Sequence, residues 1–260
     1  MTKPTARPAL RLYVDQKLEP NQTIELTGDQ AHYLFKVMRR STGDQVGLFN
    51  GASGEYRAIL EQTSKKAGMA HIDTLVLPTE KPDVSQLSLY IAPIKKGPME
   101  LVVRQATELG VTDLYPTITE HSQSDALRYD RLRAIALEAC EQCERLEPPT
   151  IHPPSPLGQV TSHWPNGEVC FVAAEAGPSL SIRKALSGSE RPTKLSILIG
   201  PEGGFSLNEL RMLAQIEEFV MVGLGPRILK AETAAIAAVA TVQAFWGDAD
   251  DSPKFRGALA

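Results

Sequence analysis

From Val84 to about Gly247, short apolar runs alternate with longer stretches of helical periodicity, and no other feature of the chain constrains its fold as tightly. Alternating strand and helix commits a chain to an α/β domain, because parallel strands need a crossover and the helix supplies it. The pattern predicts strands over Gln86 to Ile94, Val111 to Ile118, Glu168 to Ala174, Leu195 to Ile199 and Phe219 to Leu224. It predicts helices over Met99 to Leu109, Leu127 to Cys143, Ser179 to Leu186, Ser206 to Gln215 and Ala231 to Trp246. Leu195 to Ile199 is apolar apart from Ser196, the mark of a strand covered on both faces. Pro98 lies just inside one helix and Gly110 just past its end. Ser206-Leu207-Asn208-Glu209 reads as a capping box, which fixes where another helix begins. The fold class expected is α/β with a mostly parallel sheet.

The preceding block reads differently. Short alternating runs, Leu10 to Val14, Thr23 to Leu26, Gln45 to Asn50, Gly54 to Leu60 and Met69 to Val76, are separated by turn residues such as Gly43-Asp44 and Asn50-Gly51. That spacing predicts a small β-barrel or sandwich. One helix, roughly Asp29 to Arg39, interrupts it. Pro78, Pro82 and the charges between them read as a linker.

Composition narrows the function. No apolar run approaches the ~18 residues of a membrane span, and the first residues lack the apolar core of a secretory signal. Three cysteines do not make a disulfide framework, so a reduced, cytoplasmic protein is expected. Cys140 and Cys143 form a lone CxxC within a helix, read as structural, and the five histidines show no ligand spacing, so no metal is expected. The net charge of −4 is unevenly spread. Residues 1–78 hold 10 Lys/Arg against 8 Asp/Glu, which leaves 17 against 23 for residues 79–260. The N-terminal block is therefore the more cationic one, as an RNA-facing part would be.

Two loops leave predicted strands and enter predicted helices: ILIGPEGGFS, from Ile197 to Ser206, and VGLGPRILKAET, from Val222 to Thr233. Open α/β sheets bind ligands at such carboxyl ends. Glycines let backbone N–H and C=O groups approach a ligand, and Pro201 and Pro226 stiffen both loops. Tight connections without a ligand remain an alternative. The phosphate-loop pattern GxxxxGK[ST] is absent, and GxGxxG fails because Ile228 stands where the third glycine belongs. The last helix is rich in alanine, with Ala231, Ala234, Ala235, Ala237, Ala238, Ala240 and Ala244.

LIGPEGG followed by LGPRILKAETAA resembles the two C-terminal signature segments of the SPOUT RNA methyltransferases. Within that superfamily the chain resembles the ribosomal RNA small subunit methyltransferase E family. RLYVD, HYLFKVMRRSTGD and LFNGASGEY are similar to that family's N-terminal domain, and KKGPMELVVRQATELGV and EACEQCERL to its middle segments. The resemblance spans nearly the whole chain in order. It implies a PUA-like RNA-binding β-barrel over residues 1–78, a linker over 79–86, a SPOUT domain with a deep trefoil knot over 87–248 and a tail over 249–260. It also implies a homodimer, S-adenosylmethionine (SAM) as cofactor, and 16S rRNA or the small ribosomal subunit as partner, methylated at N3 of a uridine. Three departures stand out: Glu144-Arg145 where the family has Gly-Arg, His121 in place of an arginine, and Lys230 in place of an arginine.

Carried over by position, the cofactor-binding residues are Leu198, Ile199, Gly200, Glu202, Gly203, Gly204, Leu224, Gly225, Ile228 and Leu229. Arg227 and Lys230 beside the loop are candidates to stabilise charge on uracil oxygens, or else to bind phosphate. Glu232 is the candidate to accept the N3 proton, or else a first-turn acid complementing the helix dipole. Lys36, Arg39 and Arg40, with Arg11, Lys65, Lys66 and Arg145, are the candidate RNA contacts.

Overall fold

The structure, a computed structural model, describes residues 7–64, 67–79, 86–122, 127–174, 179–188 and 192–251. Lys65, Lys66, most of the expected linker and the end of the expected tail lie outside the described residues. The chain divides into two compact units, the first made of residues 1–81, 140–147 and 253–260, the second of residues 82–139 and 148–252.

In the first unit, β1 (Arg11–Tyr13), β2 (Thr23–Leu26), β3 (Gln45–Asn50), β4 (Gly54–Gln62) and β5 (Gly68–Leu77) form one sheet in the order β1-β3-β4-β5-β2. All pairs are antiparallel except β1 with β3. Two register shifts between β4 and β5, at Glu55/Tyr56 and Arg57/Ala58, add local twist and curl the sheet around Val14, Leu48, Leu60 and Ile72. The helix expected over Asp29 to Arg39 is shorter: α1 (Gly28–His32), opened by a Thr27–Gln30 capping box, runs into a π turn over Tyr33–Val37. The turn buries the neighbouring Leu34 and Phe35. A Cβ on Gly68 would lie 2.5 Å from the Phe35 ring, so the glycine makes room for it.

Arg11 corrects the sequence reading. Its neighbours Leu10 and Leu12 face the sheet core, but its own face is covered by the end of a distant helix, and its side chain is fully buried. Nε donates to Glu55 at 2.9 Å. Nη1 donates to the Cys140 carbonyl at 2.6 Å and Nη2 to the Arg145 carbonyl at 3.1 Å. Glu55 also accepts from Arg7 at 2.6 Å, and Arg7 reaches Glu144 at 2.7 Å. A buried guanidinium serving a helix terminus in this way is not a phosphate contact.

In the second unit, β6 (Gln86–Ile91), β7 (Asp113–Ile118), β8 (Thr150–Ile151), β9 (Ser155–Pro156), β10 (Val169–Ala173), β11 (Leu180–Ser181), β12 (Lys194–Ile199) and β13 (Phe219–Gly223) form a wholly parallel sheet. Its order is β11-β13-β10-β12-β6-β7-β8, with β9 beside the end of β7. The helices are α2 (Lys96–Glu108), α3 (Tyr129–Cys143), α4 (Leu157–Ser162), α5 (Ile182–Ser187), α6 (Leu207–Leu213) and α7 (Ala231–Trp246). One face of the sheet buries Leu89, Ile91, Ile197 and Ile199 together with residues of α2, α3, α5 and α7. The other face buries Leu198, Cys170 and Val172 with Leu157 of α4 and Leu213 of α6.

Local signals account for the boundaries. After α2, Gly110 has φ +85°, and the bonds Gly110 N–H to Thr107 and Val111 N–H to Ala106 close a Schellman motif. The Ser206–Glu209 capping box is present. Ser181 accepts from Lys184 N–H, so α5 begins later than expected, and the residues before it pair with β13 instead. The alternation does not predict α4, which follows the Pro-rich stretch. Small residues let α7 lie close to its neighbours: Ala231, Ala235 and Ala238 are all buried, with Val239 and Val242. Gln243 of α7 donates to the Leu109 carbonyl at the end of α2.

Candidate functional site

Three adjacent strands, β13, β10 and β12, end side by side. At their carboxyl ends lies a cavity of about 310 Å³. That is the lower end of the ~300–1,000 Å³ typical of small-molecule sites. Ala173 and Ala174 close β10, Ile199 and Gly200 close β12, and Val222 and Gly223 close β13; all six line the cavity.

The loop after β12 forms one wall. Gly204 (φ +71°) donates back to the Pro201 carbonyl at 2.9 Å, which makes a tight turn that an L side chain would strain. A Cβ on Gly200 would lie 2.9 Å from the Phe205 ring. This wall is pinned from outside. His121 Nδ1 lies 3.0 Å from the Gly204 carbonyl, and its Cβ would be 3.3 Å from a Cβ on Gly203. Glu209 accepts from Ser206 N–H at 2.9 Å with one oxygen and from Glu120 N–H at 2.8 Å with the other. One carboxylate therefore caps α6 and also anchors the segment carrying His121.

The loop after β13 forms the facing wall. Gly225 has φ +115°, a conformation closed to most L residues. Leu224, Arg227, Ile228 and Leu229 line the cavity, and Ala231 and Ala234 of α7 supply the floor. Ile228 is 83% exposed, so its apolar side chain stands at the mouth with no partner among the described residues to cover it. Polar groups offered to a ligand here come mainly from backbone.

Of the expected cofactor residues, Ile199, Gly200, Gly203, Gly204, Leu224, Gly225, Ile228 and Leu229 come together in this cavity. Leu198 does not: strand alternation turns its side chain to the opposite face of the sheet. Glu202 is exposed and points to Lys95, 3.6 Å away. Ala173, Ala174, Ser179 and Phe205 were not among the sequence candidates. The carboxyl end of a third predicted strand, Glu168 to Ala174, is the signal that marks the first two.

Arg227 lines the cavity, Lys230 is the N-cap residue of α7, and Glu232 sits in that helix's first turn. None of the three has an ion-pair or side-chain hydrogen-bond partner among the described residues. Lys36 and Arg39 are exposed on and just after the π turn, and Arg40 is half-buried. Arg145 is half-buried, with its carbonyl bound to Arg11. Burial pushes the Cys140 thiol up to about 12, so this half of the CxxC pair is no reactive thiolate at neutral pH. Among the described residues no group of His, Cys, Asp and Glu could hold a metal ion, and no helix is long and apolar enough to cross a membrane.

The family profile of an RNA methyltransferase domain matches residues 80–243, and that of an RNA methyltransferase PUA domain matches residues 26–68. The ribosomal RNA small subunit methyltransferase E of Rickettsia conorii is 34% identical over 235 residues, 90% of this chain and 94% of its own. A Legionella pneumophila chain solved in complex with the cofactor SAM superposes with a TM-score of 0.79 at 30% identity, covering 90% of this chain and 97% of that one. The ribosomal RNA small subunit methyltransferase E of Neisseria gonorrhoeae, solved with S-adenosyl methionine bound, gives a TM-score of 0.79 at 25% identity, covering 92% and 99%.

Proposed function

The chain belongs to the ribosomal RNA small subunit methyltransferase E family, and from that premise we propose that it methylates N3 of a uridine in 16S rRNA with SAM as methyl donor. The observation that carries this reading is the cavity. Eight of the ten expected cofactor residues line it, at the carboxyl ends of three adjacent parallel strands.

The cavity suits SAM. Glycines at 200, 203 and 225 leave backbone N–H and C=O groups open to the polar edge of an adenine, and Ile199, Leu224 and Leu229 offer it apolar walls. Bound there, SAM supplies an electrophilic methyl group on a sulfonium. Everything else falls to the chain's own residues. Rigid loops hold donor and acceptor in line, and good alignment is worth about 7–11 kcal/mol in favourable cases. Glu232 accepts the N3 proton of uracil, while Arg227 and Lys230 stabilise the charge that spreads to its ring oxygens. The N-terminus of the 16-residue helix α7 adds positive potential at the same place.

The rest of the reading belongs to the same proposal. A PUA-like unit over residues 1–78 contacts RNA through Lys36, Arg39 and Arg40, with Arg145 assisting. The SPOUT domain expected over 87–248 carries the trefoil knot, for which the close seating of the alanine-rich α7 on α2 and α5 is suited. The enzyme works as a homodimer in the cytoplasm, where the ribosomal subunit is found.

The test is transfer of labelled methyl from SAM to small subunits that lack the native modification, with the product nucleoside identified. N3-methyluridine is expected. A 2′-O-methylated nucleotide would overturn the base assignment, and no transfer to subunits or to naked rRNA would overturn the function.

A further inference from the structure

A second cavity, of about 300 Å³, lies at the carboxyl end of β6, the strand next to β12. Its floor is apolar: Ile94, Met99 and Leu132 are buried, and Leu127 is half-buried. Its rim carries Lys96, Arg128, Arg131 and Glu100. Three cations against one acid give a local charge of +2, within a stretch, residues 79–260, that holds 17 Lys/Arg against 23 Asp/Glu. A cationic rim on an acidic background is the electrostatic footprint of a polyanion. Lys96 and Arg128 have no ion-pair partner among the described residues.

Glu100 adds a second, independent sign. Its Oε1 is buried and accepts no hydrogen bond. Arg131 Nε stands 3.5 Å away, close enough for attraction and too far for a good hydrogen bond. A buried carboxylate oxygen without a donor is costly, and a turn of the Glu100 side chain towards the cavity would let a ligand N–H satisfy it. Both cavities open along one edge of one sheet. Lys95, the residue before α2, lies 3.6 Å from Glu202 in the loop that walls the first cavity.

Resting on the proposed function, we infer that the second cavity holds a nucleotide of the substrate RNA flanking the target uridine. Its base lies over the floor made by Ile94, Met99, Leu127 and Leu132. A ring or amino N–H of that base donates to the Glu100 carboxylate, and its phosphates meet Lys96, Arg128 and Arg131. Single-stranded RNA is read in this way, by splayed bases and backbone charge.

The experiment uses the full-length enzyme and unmodified small subunits. In K96E/R128E the KM for subunits rises about tenfold or more, and the slope of its logarithm against log salt weakens by about 1.5, two phosphate contacts' worth. The maximal rate, SAM affinity, melting temperature and solution mass stay unchanged. A KM within twofold of wild type, or a changed solution mass that marks the site as a contact between copies of the chain, overturns the proposal. Glu100→Leu tests the base contact by sign. Losing an acid near RNA should lower KM by charge alone, whereas losing the acceptor raises it about three- to tenfold; a fall overturns the base contact. Wild-type enzyme on the unmodified subunits serves as the reference: if it methylates none, the function and the pocket are refuted together, and normal wild-type kinetics beside unaffected variants refutes the pocket alone.

Discussion

Arg11, in the first unit, is buried with all three guanidinium nitrogens engaged, and the guanidinium also sits 3.9 Å from the centre of the Phe49 ring. Arg227, in the second unit, is exposed at a cavity and has no partner among the described residues. The same contrast holds for their neighbours. Arg7, Glu55 and Glu144 answer one another, while Lys230 and Glu232 have no partner among the described residues. The first set is largely spent on its own members, with Arg7 Nε and Glu55 Oε1 left buried and unbonded, and it is read as structure. The open set, with Arg227 at the cavity and Lys230 and Glu232 at the start of α7, has its hydrogen bonds still to make. Residue type alone would have placed Arg11 and Arg227 in one class.

The contrast breaks most sharply at Arg11. Arg11→Met leaves helix-end carbonyls unserved and buried Glu55 with Arg7 alone, and breaking a buried pair costs about 3–5 kcal/mol. Chemical denaturation of the full chain should show that loss. The salt slope of RNA affinity should not move; a slope lower by about 1 with unchanged stability would restore Arg11 as a phosphate contact.

Glu232→Gln comes next. If the open carboxylate takes the N3 proton, the maximal rate falls about 100-fold. SAM affinity, read by calorimetry, is unchanged. A rate within twofold of wild type would reduce Glu232 to a first-turn acid on α7. Gly225→Val then probes the backbone wall of the cavity. A β-branched residue at φ +115° costs of order 1–3 kcal/mol, so the SAM dissociation constant should rise roughly 10- to 100-fold if the loop must keep that shape to bind. Unaltered affinity would show that the loop is free to bind in another conformation.

Much of this was legible in the residues, and what was not has identifiable causes. The glycine loops, the capping box and the alanine helix are local features, and each fixes its own element. Leu198 was misplaced because Leu195–Ile199 is apolar on both faces, so nothing in the run says which side chains face the ligand. Ala173 and Ala174 were missed because a cavity wall made of alanine carries no chemical signature. Arg11 was misread for a longer-range reason. The Leu10-Arg11-Leu12 alternation reports which face is the sheet core, but the helix end that covers the other face lies 129 residues away in sequence. The charges of the second cavity come from two segments, near Lys96 and near Arg128, that only the parallel sheet order brings together.

The smallest effect belongs to the closed network and concerns a departure visible in the sequence. Glu144 stands just past α3 with φ +69°, where the resemblance leads one to expect glycine. Helices commonly end on a left-handed residue, and glycine takes that conformation without the clash a Cβ brings. Glu144 accepts the strain and bonds to Arg7 at 2.7 Å. Two substitutions separate these effects. Glu144→Ala and Glu144→Gly both lose the Arg7 contact, but only glycine relieves the backbone. The glycine variant should therefore be more stable than the alanine variant by about 1 kcal/mol, measured by denaturation under one set of conditions. If the two variants unfold together, the left-handed turn carries no cost here. If glycine also exceeds the wild type, the Arg7–Glu144 pair is worth less than the strain it accompanies, and the network is held by the Arg7–Glu55 and Arg11–Glu55 pairs.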